Sequence, residues 1–352
     1  MIEVRADRSV CDIEPSAWRG LRIRHVFESR GWLAANEPTS AGEPVVTSAW
    51  EDGELRSVLV WQATAASDPS PYYNVNALVA RWQGGSVGGD DGWALSCTAV
   101  GARSPILLAP GAQLDADLLD RHIRAAAGLR SAPPRMVGVN FLPRPPLPGT
   151  VEALRELGFA ELRGFSRAKL ALSGKTYDDY LDALGSRKRW NARRDRRRFA
   201  ESGQRVSFAT GPGAMGEDVV ALQGRNKAKY GQAFDPVETR RRYRDLLGFA
   251  QDDGLVVRTW SGDTCTGFAL FVRAGRSLHA LSAGFGSTQD DVGPYFECVF
   301  HAPIEWAYAH GIDEIDYGIG SVSAKSGRGC TVTDEVTWFR PEPLSGRRKD
   351  AR

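Results

Sequence analysis

Apolar residues along the chain alternate with polar ones at a period near two in some stretches and near 3.6 in others, and the switches mark the elements. In "PVVTSAWEDGELRSVLVWQAT" two alternating runs flank Asp52-Gly53, which predicts a hairpin. "SAWRGLRIRHVFESRGWLAANE" has a helical pattern around Val26, Phe27, Trp32 and Leu33. A glycine-rich loop from Gly84 to Gly92 precedes the strand-like "WALSCTAV" and "SPILLAP". "DADLLDRHIRAAAGL" reads as a helix with an acidic first turn, which suits the positive end of its dipole. "MVGVNFL" reads as a buried strand, and "GTVEALRELGF" as a short helix ended by Gly158.

The second half repeats this rhythm. "SRAKLALS" predicts a strand, followed by helices from Tyr177 to Leu184 and from Arg187 to Ser202. Two more helices follow, in "AMGEDVVALQGRNKAKYG" and "PVETRRRYRDLLGFAQDD". "LVVRTWSGDTCTGFALFVRAGRSLHALSAGF" predicts three strands joined by tight turns. A helix from Tyr295 to His310 comes next, with Pro303 placed to kink it or reset its first turn. The strand "DEIDYGIG" leads to a glycine-rich loop and the alternating "CTVTDEVTWF". Both halves carry antiparallel strands, a helix and a strand, so the expected fold class is α+β, built as a structural duplication. Residues 1–165 and 166–342 are the expected domains, and 343–352 a basic disordered tail.

A length of 352 residues exceeds one ordinary core, which agrees with two domains. A net charge of +2 is too small to attract a polyanion globally, so any such affinity must be local. The five cysteines are scattered without a C-x-x-C, which favours reduced thiols over a disulfide or zinc scaffold. No apolar run is long enough for a membrane span, and the N-terminus has no apolar signal core. A cytoplasmic protein is expected.

Charge does cluster at one place. Of the thirteen residues from Ser186 to Arg198, eight are Lys or Arg, with only Asp195 opposing them. On a helix, Ala192 and Phe199 share the face that packs inward, while Trp190, Arg194 and Arg197 lie on another. An aromatic ring inside a basic stripe suits a polyanion with stackable bases, such as an RNA end. The alternative is a solvated helix whose arginines pair with acids elsewhere. Arg187, Lys188, Arg189, Trp190, Arg193, Arg194, Arg197 and Arg198 are the candidate polyanion-binding residues.

Two other constellations have competing readings. Glu297, His301 and Glu305 follow one another at i, i+4 steps, as metal ligands on one helical face or as a solvent-facing charge ladder. No further ligand lies nearby in sequence, so no metal is expected. "DEIDYGIGSVSAKSGRGC" looks like a phosphate-binding loop, but its first glycine position is Ile319 and its second is Ala324. Gly327-Arg328-Gly329 then breaks a helix, so the segment reads as a strand-to-strand loop presenting Lys325. No G-x-S-x-G or S-x-x-K is present, and His25, His122, His279 and His310 have no evident partner in the sequence.

The order of strands and helices resembles the core of GNAT-type N-acyltransferases. In "FGSTQDDVGPY", however, Asp290 and Asp291 would repel a CoA diphosphate and Pro294 removes a donor, so CoA is not expected as a cofactor. The second half resembles the Fem-type branch of that superfamily, in particular a group of peptidoglycan biosynthesis and recognition proteins. The resemblance rests on the basic helix with Lys188 to Arg193, a helix opening Phe296-Glu297-Cys298, and the loop Gly320-Ser-Val-Ser-Ala-Lys325-Ser-Gly-Arg328-Gly329. It implies tandem GNAT-like domains, with mixed central sheets flanked by helices. It further implies aminoacyl-tRNA as co-substrate and an amine acceptor, a small molecule or a cell-wall peptide.

Amide formation from an ester needs positioning and oxyanion stabilisation rather than a metal. Lys325 is the candidate for carbonyl contact, and Glu297 or Asp316 for the amine proton. Arg328, Tyr317, Ser323 and Tyr295 are the substrate-binding candidates. The Ser-Val-Ser-Ala before Lys325 departs from the group's Gly-Glu-His run, which leaves the acceptor open. The alternatives are an N-acyltransferase using a thioester on CoA or on an acidic carrier protein, and a binding module on an inactive GNAT-like scaffold.

Overall fold

The computed structural model describes residues 1–37, 42–84, 92–142, 144–229, 234–286 and 293–340. Asp290, Asp291, most of the loop after Gly84 and the basic tail lie outside the described residues. The chain divides into two compact units, Met1–Phe165 with the segment from Asp334 onward, and Ser166–Thr333. The last strand thus returns to the first unit, where the sequence reading kept it in the second.

The first unit holds β1 (Ile2–Asp7), β2 (Glu43–Glu51), β3 (Glu54–Ala65), β4 (Trp93–Cys97), β5 (Ile106–Leu108), β6 (Met136–Leu142) and most of β13 (Thr331–Arg340). Strands β1 to β4 form an antiparallel meander, β6 runs parallel to β4, and β13 runs antiparallel to β6. The helix Ala116–Ala127 starts at Asp115, whose side chain accepts the Leu118 N–H, and buries Leu119 and Ile123 in a core with Trp61, Leu95 and Val137. His122 on the same helix is fully buried, 2.8 Å from both Ser57 Oγ and Thr47 Oγ1. Burial lowers its pKa to about 3, so it is a neutral core histidine.

The second unit holds the latter half of β7 (Ala160–Ala171), then β8 (Arg205–Thr210), β9 (Gly254–Ser261), β10 (Thr264–Ala274), β11 (Ser277–Phe285) and β12 (Glu314–Ile319). Its pattern repeats the first. Strands β8 to β11 form an antiparallel meander, β12 runs parallel to β11, and β7 runs antiparallel to β12. Both sheets are mixed and flanked by helices, as the α+β reading expects. In β10 the run Phe268 to Val272 is apolar without alternation because both faces are covered. Phe271 packs with Phe300 on one face, and Phe268 meets Tyr243 on the other. Strands β1 and β8 have no counterpart in the sequence reading.

Candidate active site

The parallel strands β11 and β12 pair over only three residues, ending at His279 opposite Asp316. Beyond that point β12 continues to Ile319, and the main-chain carbonyls of Tyr317, Gly318 and Ile319 are met by a side chain. Lys325 Nζ donates to them at 2.7, 3.1 and 3.0 Å. An ammonium has three donors, and all are used here. Lys325 is 6% exposed, and burial lowers its pKa to about 8, so it keeps its charge at neutral pH. The sequence reading of Lys325 as an oxyanion contact is therefore corrected: it clasps the end of β12. The loop reading is corrected as well, because Val322–Ser326 forms one short helical turn closed by Gly327. The glycines end this turn rather than prevent it. Ser321 ahead of it is held at φ +47, and Gly329 behind it at φ +89, a conformation that a residue with a side chain rarely adopts.

Asp316 is also a structural carboxylate rather than a free base. It lies 1% exposed, accepts from Arg167 Nη1 at 3.2 Å on both oxygens, and accepts the Gly318 N–H at 2.8 Å. Arg328 is buried as well. It pairs with Asp195 of the basic helix and places its guanidinium carbon 3.8 Å from the ring centroid of Phe296. With its charge spent on Asp195, Arg328 does not present a free anion site.

Glu297 has a different setting. The helix spanning 293–309 widens at Glu297–His301 into a π-turn, where Ala302 N–H bonds to the Glu297 carbonyl. Pro303 explains the widening: it lacks an N–H and would collide with the Val299 carbonyl in a regular α-turn. The bulge turns Glu297 and His301 inward, to 3% and 0% exposure, and leaves Glu305 exposed. The charge ladder of the sequence reading does not form. His301 Nδ1 lies 2.7 Å from Tyr177 Oη, and burial lowers its pKa to about 3. Among the described residues Glu297 Oε2 has no hydrogen-bond partner, and its Oε1 lies 3.7 Å from Arg196. Burial raises its pKa to about 7, with Arg196 opposing the shift and Glu305 adding to it. A carboxyl that titrates near neutrality is suited to accept a proton.

The basic helix, Ser186–Glu201, buries Ala192, Asp195 and Phe199 and turns its cations outward. Arg189 pairs with Asp182, Arg194 contacts Asp195, and Arg196 pairs with Glu305. Among the described residues, Arg187, Lys188, Arg193, Arg197 and Arg198 form no ion pair and are exposed. Trp190 is 61% exposed, with the Arg194 guanidinium 4.9 Å from its ring centroid. Beside this pair runs an open groove of ≈ 710 Å³, lined by residues that include Asn191, Arg194, Phe296, Ser323 and Arg328. Of the other candidates, Tyr317 is buried against Phe300, and Tyr295 packs edge-on against Phe285. Arg196 and Tyr177 were missed by the sequence reading. The i, i+4 step from Glu297 gave no hint of a third element reaching across.

A family model described as an acetyltransferase (GNAT) domain matches residues 186–326. No curated protein matches the chain in sequence. Among solved structures the chain is similar to FemX, with a TM-score of 0.58 at 11% identity over 96% of each chain. It is also similar to a tandem GNAT protein from the clavulanic acid biosynthesis pathway, with a TM-score of 0.54 at 11% identity over 97% of this chain and 98% of that one. The C-terminal domain of a putative lysylphosphatidylglycerol synthetase from Agrobacterium fabrum gives 0.51 at 10% identity over 81% of each chain. At such identities the likeness is one of fold. Among the described residues no helix is long and apolar enough to cross a membrane.

Proposed function

From a GNAT acyltransferase domain over residues 186–326, set in a Fem-like tandem GNAT fold, we propose that the protein is an aminoacyltransferase using aminoacyl-tRNA. The observation that carries this reading is the exposed set Arg187, Lys188, Arg193, Arg197 and Arg198, without ion pairs among the described residues, around the Trp190–Arg194 stack at the edge of the groove. Phosphates would meet the cations, and an unpaired base would stack on the indole. One fold neighbour is named a putative lysylphosphatidylglycerol synthetase, whose product carries an aminoacyl group.

In the proposed reaction an acceptor amine attacks the ester carbonyl of the aminoacyl group. The C–N bond forms, the C–O bond to the ribose breaks, and Glu297 takes the amine proton and passes it to the departing ribose oxygen, which leaves as a hydroxyl. Glu297 directly follows Phe296, which lines the groove. Lys325 and Asp316 support this chemistry indirectly, by fixing the end of β12. Amide formation is assayed with charged tRNA and a panel of primary amines, and ribonuclease should abolish it. Turnover that survives ribonuclease and requires acyl-CoA or an acylated carrier protein overturns the tRNA donor. That second reading is favoured by the match to an acetyltransferase model.

A further inference from the structure

Arg196 occupies a place that no other cation of the basic helix shares. Its Nη2 lies 3.1 Å from Glu305 Oε2 and 3.7 Å from Glu297 Oε1, and its Nη1 also bonds to Glu305. The Tyr177 ring lies 4.7 Å from the guanidinium carbon and holds it in place, while the Tyr177 hydroxyl is engaged by His301. One nitrogen therefore stands between an exposed carboxylate and a buried one, leaning toward the exposed one.

We propose that Arg196 is a positioning residue that divides its charge between Glu305 and Glu297, and that Glu305 controls how much of it the buried carboxylate receives. This inference rests on the reading of Glu297 as the proton acceptor. Among the described residues the groups facing Glu297 are few. Arg196 comes from the basic helix, Tyr177 from the helix Tyr177–Ala183, and His301 and Glu305 from its own helix. From β9 and β10, Arg258 and Cys265 face the neighbouring Cys298. His301 is neutral, so it adds no charge near neutral pH. Arg196 is the cation that counteracts burial of Glu297, and Glu305 is the carboxylate that competes for it.

The test is a carboxyl-carbon NMR titration of the full chain labelled in glutamate, with Glu297→Gln identifying the resonance. Glu305→Gln should lower the Glu297 midpoint by about one pH unit, because an opposite charge nearby favours the ionised form and its competitor is gone. Arg196→Met should raise the midpoint by a similar amount, and Arg196→Lys should restore part of the difference. In the Arg196→Met background, Glu305→Gln should move the midpoint less than half as far, since little but its direct field remains. Equal shifts in both backgrounds, or none in either, overturn the proposal. Glu305→Gln is a surface change that leaves the core intact, so an unmoved Glu297 midpoint in that variant overturns the proposal even where Arg196→Met fails to fold, and Arg196→Lys then supplies the second background. The titration needs neither tRNA nor amine. Midpoints that move as expected in a protein without aminoacyl transfer uphold the charge sharing and overturn only the catalytic role of Glu297.

Discussion

Arg328 is held between Phe296 and Asp195, its guanidinium carbon 3.8 Å from the ring centroid and its charge bonded to the carboxylate. One buried side chain thereby joins the turn after β12 to the basic helix and to the helix of Glu297. Replacing Asp195 by Asn should cost about 3 kcal/mol in urea unfolding, because it leaves an uncompensated buried cation. The double change Asp195→Leu with Arg328→Met should recover most of that loss. A double variant as unstable as the single ones would contradict the pairing.

Lys325→Met removes the donors that serve three carbonyls of β12. The expected loss is about 3 kcal/mol of stability, since buried acceptors are left unsatisfied. Any fall in turnover should then track the unfolded fraction. Normal stability with abolished turnover would return Lys325 to the chemistry.

Glu297 titrates at about 7 in the folded chain, against an ordinary 4.5. Below pH 4.5 both states hold the proton and its contribution to stability is complete. Between 4.5 and 7 only the folded state holds it, so stability should decline as pH rises through that window and level off above it. The full difference is up to about 3 kcal/mol. Glu297→Gln should flatten the decline and lower turnover by roughly 10²–10⁴-fold. Denaturation midpoints across pH 4–8 check the first expectation, and initial rates check the second.

Changing Arg193, Arg197 and Arg198 to Gln should reduce the slope of log affinity against log salt by about 0.7 for each phosphate that is no longer neutralised. Fluorescence anisotropy with charged tRNA measures it. Parallel slopes for variant and parent would remove the helix from the interface.

Trp190→Ala should weaken tRNA binding by about 1–3 kcal/mol because the indole no longer stacks on a base, while Trp190→Phe keeps most of the affinity. The ring is 61% exposed, so thermal stability should hardly change. Equal affinity in all three proteins would leave the indole without a role in binding.

The elements that were legible in the sequence are those with strong periodicity. "MVGVNFL" coincides with β6, the helix Ser186–Glu201 falls within a residue of its pattern, and Pro236–Ala250 starts on its pattern and ends three residues short of it. Edge strands were not legible. In β8 the burial alternates weakly, and Phe208 faces solvent at 46% exposure, so its apolar signal has no consistent face. At the candidate site the exposed residues were readable, because Trp190 and its neighbouring cations follow helical spacing. The buried ones were misread for a common reason. Lys325, Asp316 and Arg328 look reactive as residue types, but their donors and acceptors are taken by the Tyr317 carbonyl in the preceding strand and by Arg167 and Asp195 at distant points in the chain, none of which the residue type reveals. Glu297 was recognised as a candidate base, but its inward turn depends on a π-bulge that a 3.6-residue period does not reveal.

The pairing of β13 with β6 sets the order in which this protein can mature during synthesis. Val336 must find Leu142, and Phe339 must find Gly138, before the first sheet acquires its final strand. The ribosome has therefore made nearly the whole second unit while β6 still presents an open edge. Pairings so distant in sequence close slowly, and an unpaired edge strand invites pairing with other chains in the meantime. A fragment cut after Phe165 would carry that open edge permanently, so the first unit is expected to stay soluble only when the chain is made through to Arg340.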